Sequence, residues 1–361
     1  MSVANPVLRP ADVASLQEAV REHPSVWPRG AGTKTALQPP EGAVVLDLSQ
    51  LRGVVDYDPQ EFTFTALAGT PVREVEELLG RHGQYLPFDP PLCGAGATLG
   101  GTLASGLSGP GRYRYGGVRD FVLGVRFVDG EGQLVRAGGK VVKNAAGFDL
   151  AKLLVGSLGR LGVVAELSFK VFPAPRARRT IRVDRSDFEG VWEVLRALYT
   201  SPFDPEAADL VPPGTVWVRV AGRPESLAAR VRRLLDFLSH GAQVVEDDGA
   251  RVWEEAREFR WVPSGWTLVK VPVTPRRLPE LERELGRGDS RRWYSAGGNV
   301  AWVAWPGDVS PLAAVLDRLG LRGLRVLGPP GPPFVGRPEL DGFGRRVKQA
   351  LDPLGRFGPY A

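Results

Sequence analysis

The 361-residue chain has one cysteine, Cys93, and one methionine, Met1. A single cysteine excludes an intrachain disulfide, a zinc knuckle and a cysteine-ligated iron–sulfur cluster built from this chain alone. Histidine is nearly as scarce: only His23, His82 and His240 occur, far apart, so no metal site is expected. Asparagine is confined to Asn5, Asn144 and Asn299, and arginine far outweighs lysine, a bias that fits thermal adaptation and GC-rich coding equally. No apolar run approaches the ~18 residues of a membrane span, which predicts no direct membrane insertion. The first residues lack the apolar core of a secretory signal, which predicts a cytoplasmic chain. There is no concentrated basic run, and the net charge of +5 does not suit a nucleic-acid binder.

What is abundant is glycine and proline, 45 and 32 residues, within an otherwise globular composition of 43% hydrophobic and 24% charged residues. The length predicts about two domains. Ala11 to His23 places Val13, Leu16 and Val20 on one helical face, and Val44–Leu48 follows as a short buried strand. Phe62–Thr65 alternates as a strand, and Thr70, Pro71 and Gly83 mark the N-cap, first position and end of the next helix. Phe121–Val128 and Gln133–Ala137 form a hairpin across Asp129-Gly130-Glu131-Gly132. Phe148–Val155 has helical spacing, and Val163–Phe172 is a strand that ends at Pro173-Ala174-Pro175, where the first domain closes. Residues 176–335 alternate strands (Thr215–Val220, Trp266–Val271, Val300–Val303) with amphipathic helices (Leu227–Leu238, Leu312–Leu319), a second α+β domain. The basic stretch Arg176–Arg185 is expected to be its exposed start. The run Gly328-Pro329-Pro330-Gly331-Pro332-Pro333 is expected to be a surface linker to a terminal helix, Leu340–Leu351, and residues 336–361 form a C-terminal segment.

Three glycine runs carry chemistry. Successive N–H groups in a glycine turn make a nest for phosphate, and Arg29-Gly30-Ala31-Gly32-Thr33 suits one, with Thr33 and Thr35 as hydroxyl donors and Arg29 or Lys34 to offset charge. A structural turn explains that loop alone equally well. Ala97–Gly109, with paired glycines and few bulky side chains, offers a backbone on which a flat ligand can lie, or a tight helix crossing. Gly156–Val164 again sets glycine against a buried strand. Neither a P-loop nor a G-x-G-x-x-G fingerprint is present.

Pro28-Arg29-Gly30-Ala31-Gly32-Thr33 resembles the first pyrophosphate loop of the vanillyl-alcohol-oxidase, or PCMH-type, flavoproteins. Ala97–Gly109 with Tyr115-Gly116 resembles their second segment. Gly138–Leu150 through Gly156-Ser157 and Gly162-Val163-Val164 to Phe172-Pro173-Ala174-Pro175, with Leu354–Phe357, is similar to the shorter FAD-binding subunits of bacterial glycolate oxidases. The resemblance implies a PCMH-type FAD-binding domain of two α+β subdomains over residues 1–175, a smaller α+β cap over 176–335, and a tail, 336–361, returning to the FAD domain. It implies that Pro28, Arg29, Gly30, Ala31, Gly32, Thr33, Lys34 and Thr35 hold the pyrophosphate of FAD. Thr98, Gly100, Gly101, Ala104, Ser105 and Gly109 would line the ring and ribityl chain, with Pro90, Leu99 and Tyr115 also counted as cofactor contacts. Gly162, Val163 and Val164 would support the adenine side. No histidine or cysteine lies in these loops, which implies non-covalent FAD.

The larger 2-hydroxy-acid dehydrogenases of that family use a metal-binding histidine cluster in the second domain, where this chain has only His240. Leu158 and Arg160 also replace residues typical of those enzymes, and Ala31 interrupts the usual triple glycine. The catalytic group is therefore unassigned, with Arg114, Tyr115, Arg119 and Lys143 as candidates near the expected flavin walls; Lys143 is either a flavin neighbour or a solvated residue. The resemblance implies a glycolate oxidase subunit acting on a small 2-hydroxy acid beside a second FAD-binding subunit and an iron–sulfur subunit, peripheral to the inner membrane at most. A self-sufficient FAD-dependent dehydrogenase and a flavin-poor scaffold are the alternatives. Trp253, Trp261, Trp266, Trp293, Trp302 and Trp305 are either core or a partner surface.

Overall fold

The chain enters its first helix, Val13–Glu22, through a capping box: the Asp12 carboxylate accepts from the Ser15 N–H, and the Ser15 hydroxyl accepts from the Asp12 N–H. A computed structural model describes residues 5–139, 149–246, 249–337 and 342–359. That helix buries Leu16 and Val20 against a three-stranded parallel sheet of Val7–Leu8, Val44–Asp47 and Val26–Arg29. Pro28 and Arg29, expected in the first pyrophosphate loop, are instead the end of a strand paired to Leu46 and Asp47. The glycine turn begins only after Arg29.

Beside it stands a five-stranded antiparallel sheet in the order Val54–Asp58, Thr63–Leu67, Val163–Lys170, Val122–Val128, Leu134–Gly138. The expected hairpin is present, its turn held by Asp129, whose carboxylate accepts from the N–H groups of Glu131 and Gln133. Thr70 does not cap the helix Val72–Arg81. Pro71 is at the cap position, while the fully buried Thr70 hydroxyl accepts from the Gly53 N–H and donates to the Leu67 carbonyl. The Phe148–Val155 helix is reduced to Leu150–Leu153, capped by Asp149. The stretch 140–148, with Lys143, lies outside the described residues.

Residues 177–336 form a nine-stranded antiparallel sheet, from Ala242–Val245 at one edge to Phe334–Gly336 at the other. Its second strand, Ala177–Asp184, is the basic stretch expected to be the exposed start of the domain: Arg178 and Arg179 are exposed, while the strand pairs on both sides and Arg178 is ion-paired with the fully buried Glu206. Period-two alternation sends Val269 and Val271 into a core beneath the helices Phe188–Tyr199, Pro224–Leu238, Leu278–Leu285 and Ser310–Arg318. The opposite face presents Leu268, Trp293, Trp302 and Val326, and these share one buried cluster with Phe64, Phe127 and Phe169 of the five-stranded sheet. Trp253, Trp293 and Trp302 are thus core residues, whereas Trp261, Trp266 and Trp305 are half-buried. The Pro/Gly run at 328–333 is the connection between two paired strands, Arg322–Leu327 and Phe334–Gly336, not a linker between domains.

The chain end returns to its beginning. The Val26 N–H donates to the Arg356 carbonyl at 2.8 Å, and Phe357 is buried beside Leu16, Val20 and Leu46. Asp352 organises this tail by accepting from the N–H groups of Arg356 and Phe357.

Candidate functional site

The three glycine runs meet around one cleft. Gly30 packs so closely on the second run that an added Cβ would stand 2.2 Å from Thr98 Oγ1, and Gly32 has a φ of +67°, where a side chain is strained. The second run is the helix Leu99–Ser105, entered by Thr98, whose hydroxyl accepts from the Gly101 N–H. The third run is tied to that helix by backbone hydrogen bonds from Gly156 N–H to Leu103 O and from Leu158 N–H to Ala104 O. These contacts frame an open cleft lined by all three runs.

Of the residues expected to hold a cofactor, Pro28, Arg29, Gly30, Ala31, Gly32, Thr33, Lys34, Thr98, Gly100, Gly101, Ala104, Ser105, Gly162 and Val164 line this cleft. The others lie elsewhere. Thr35 turns outward, its hydroxyl accepting from the Gly328 N–H just past the strand Arg322–Leu327. Leu99 and Val163 point into the core. The Pro90 carbonyl accepts from Arg257, and the Gly109 N–H is spent on Phe88 O and Asp89 O. Tyr115 is half-buried between the rings of Tyr85 and Phe172. Trp27, Leu37, Leu48, Leu158 and Gly159 line the cleft without having been anticipated. Only Leu158 and Gly159 carried a signal, as members of the third glycine run.

The catalytic candidates are dispersed. Arg114 pairs with Asp204 at 2.6 Å and stacks on Tyr115, and Arg119 is exposed with Asp149 as its charged neighbour. His240 is on the surface. Among the described residues no group of three or more His, Cys, Asp or Glu side chains is placed to hold a metal ion. No helix among them is long and apolar enough to cross a membrane.

Among the described residues the cleft has one cation without a carboxylate. Arg29 is engaged by Asp47 at 3.4 Å, an acid shared with Arg9. Lys34 has only the Thr33 hydroxyl, at 3.1 Å, and among the described residues no carboxylate reaches it. Desolvation by the cleft walls lowers its pKa to about 8. The Cys93 thiol, which acts on Lys34 electrostatically, is pushed up by burial to about 12 and stays neutral at physiological pH. A half-buried ammonium with an unmet counter-charge, beside a glycine turn, is chemically matched to a pyrophosphate. FAD fits the donor set present.

A fold of this kind around such a cleft defines a PCMH-type flavoprotein, and comparison with known proteins agrees. A family model described as an FAD binding domain matches residues 4–138. Glycolate oxidase subunit GlcE of Escherichia coli (strain K12) is 33% identical over 355 residues, covering 95% of this chain and 94% of that one. Glycolate oxidase subunit GlcD of Bacillus subtilis (strain 168) is 33% identical over 158 residues, 43% of this chain and 33% of its own. Among solved structures, alkyldihydroxyacetonephosphate synthase superposes with a TM-score of 0.74 at 17% identity, over 99% of this chain and 76% of its own, which speaks to the fold alone. The chain belongs to the family of glycolate oxidase subunit GlcE; it is an FAD-dependent oxidoreductase, and FAD is its cofactor.

Proposed function

We propose that this chain is the FAD-binding subunit of a glycolate-oxidising assembly, converting glycolate to glyoxylate with a second flavoprotein subunit and an iron–sulfur subunit. The observation that carries the reading is the match to a glycolate oxidase subunit along nearly the whole of both chains. In this reading residues 1–175 are the FAD-binding domain, 176–335 the cap, and 336–361 the returning segment.

The bound flavin supplies hydride acceptance; the chain binds, orients and shields it. The N–H groups of the turn after Arg29, with Lys34, hold the pyrophosphate and neutralise it. Thr98, Gly100, Gly101, Ala104 and Ser105 present a low wall along which the ribityl chain lies, and Gly162 and Val164 support the adenine end. Among the described residues neither histidine nor cysteine lines the cleft, which supports non-covalent binding.

The test is the absorbance spectrum of the purified chain. Bound flavin that glycolate bleaches only after the two partner subunits are added is the expected result. Bleaching by glycolate with the chain alone would instead establish a self-sufficient dehydrogenase, and a colourless chain that takes up no FAD would overturn the reading.

A further inference from the structure

Two neighbouring strands of the nine-stranded sheet reach all three glycine runs. Lys270 lies on Thr267–Pro272 between the fully buried Val269 and Val271, opposite Trp302 on one side and Leu324 on the other. Alternation places it with Leu268 on the face turned to the five-stranded sheet. From there its Nζ donates to the Gly106 carbonyl at 2.9 Å. Gly106 is the left-handed C-cap of the Leu99–Ser105 helix, and it lies so near the third run that an added Cβ would stand 3.2 Å from Gly156. One ammonium thus grips the point where the second and third runs touch. It also sits at the negative end of that helix, where a cation is favourable.

The adjacent strand, Arg322–Leu327, holds the first run. Its pairing with Thr267–Pro272 passes from Leu327 opposite Leu268 to Arg325 opposite Val269, so Val326 is the extra residue of a β-bulge. The Val326 carbonyl accepts instead from the N–H of the fully buried Ala36 at 3.4 Å. Just past the strand, the Gly328 N–H donates to the Thr35 hydroxyl at 3.1 Å. Gly328 has a φ of +108°, and an added Cβ would stand 2.6 Å from the Trp266 carbonyl oxygen, so a side chain there would displace that N–H. No residue of the nine-stranded sheet is among those lining the cleft, but the residues it holds adjoin Lys34, Leu37 and Ser105, which are. Desolvating an ammonium to hold a single carbonyl is costly for stability alone, so the gain of the Lys270 bond lies in where it fixes the helix end.

We infer that these two strands act as a clamp that sets the spacing of the glycine runs for FAD, with Lys270 as its positioning residue. The inference rests on the proposed assignment of the cleft to FAD and is indifferent to the substrate. It makes part of the cofactor's affinity a property of a sheet that does not touch the cleft.

The readouts are the dissociation constant of FAD, from quenching of flavin fluorescence, and the visible circular dichroism of the bound flavin, which reports the surroundings of its ring. Lys270→Met is expected to weaken binding about tenfold and to alter that spectrum, Lys270→Arg to restore most of both, and Thr35→Val to weaken binding about threefold. Glu76→Gln, which weakens a different tie to the nine-stranded sheet, the Arg257 pair, should lower stability to urea while moving the constant by less than about twofold. An unchanged constant in Lys270→Met, no recovery in Lys270→Arg, or equal losses in Lys270→Met and Glu76→Gln overturns the clamp. Lys34→Met, a change in the cleft itself, separates the clamp from the assignment beneath it. Affinity lost there but kept in Lys270→Met and Thr35→Val refutes the clamp alone, whereas affinity kept in Lys34→Met overturns the cleft assignment and the clamp with it. Should Lys270→Met not fold by far-ultraviolet circular dichroism, Thr35→Val carries the test, and an unchanged constant there overturns the clamp.

Discussion

Arg219 of the nine-stranded sheet donates through Nη2 to the Asp89 carboxylate at 2.6 Å, and the same guanidinium lies 2.8 Å from the fully buried Glu206. Asp89 also accepts from the Gly111 N–H, at the turn that follows the second glycine run. The pair therefore fixes the nine-stranded sheet relative to one wall of the cleft. Arg219→Ala leaves two buried carboxylates with diminished compensation and is expected to cost about 3–5 kcal/mol, measured by urea denaturation. A loss under 1 kcal/mol would show that the junction does not depend on it.

Acid precipitation of the flavin-loaded protein is expected to leave a colourless pellet and all the flavin in the supernatant. Cys93, the one thiol, is buried and donates to the Pro90 carbonyl rather than facing the cleft. Colour retained in the pellet would mean a covalent bond.

Lys34→Met is expected to weaken FAD binding about tenfold to a hundredfold, read by quenching of flavin fluorescence. The pH dependence has a definite sign. Burial lowers the Lys34 pKa to about 8, so the charged form that meets the pyrophosphate is lost as pH rises through that value. Affinity should fall above pH 8, by at most about tenfold per pH unit, until the higher pKa of the complex is passed. The variant should lose that dependence, and a wild-type profile flat from pH 7 to 10 would refute the role.

Gly30→Ala places a methyl group 2.2 Å from Thr98 Oγ1, so the first and second runs must part. Loss of flavin binding is expected. Removing the obstructing hydroxyl with Thr98→Ala in the same chain should recover part of it, although that change alone costs about 1 kcal/mol as a lost helix cap. Additive losses in the double variant would deny the contact.

Phe357→Ala is expected to destabilise the protein by about 3–5 kcal/mol, because the ring is buried among Leu16, Val20 and Val163. Thermal unfolding measures it, and a shift of less than 2 °C would mean that the tail is dispensable.

How much of this could be read from the sequence depended on the range of the interaction. The hairpin at 122–138 and the alternating strand Val163–Lys170 were visible because each is a local pattern of period two. The first glycine loop stood out because a turn rich in glycine is a local pattern too, and it does line the cleft. The exposure of Arg178 and Arg179 in Ala177–Asp184 was legible, but not the strand's pairing on both sides, nor Glu206, far along the chain, beside Arg178. Thr70 looked like a cap because only the fold brings Gly53 to its hydroxyl. Arg29 and Lys34 were interchangeable as phosphate partners in sequence, and Asp47 is what separates them.

The hydrogen bond between Val26 and Arg356 closes almost the whole chain into a ring. Closing a loop of that length carries a large entropy cost, so this contact is expected to form after the hairpins of the nine-stranded sheet have assembled from near neighbours. The strand that leads into the first glycine turn would then gain its last support only when folding is nearly complete, so a partly folded chain would present an unfinished cradle and the cofactor would mark the finished molecule.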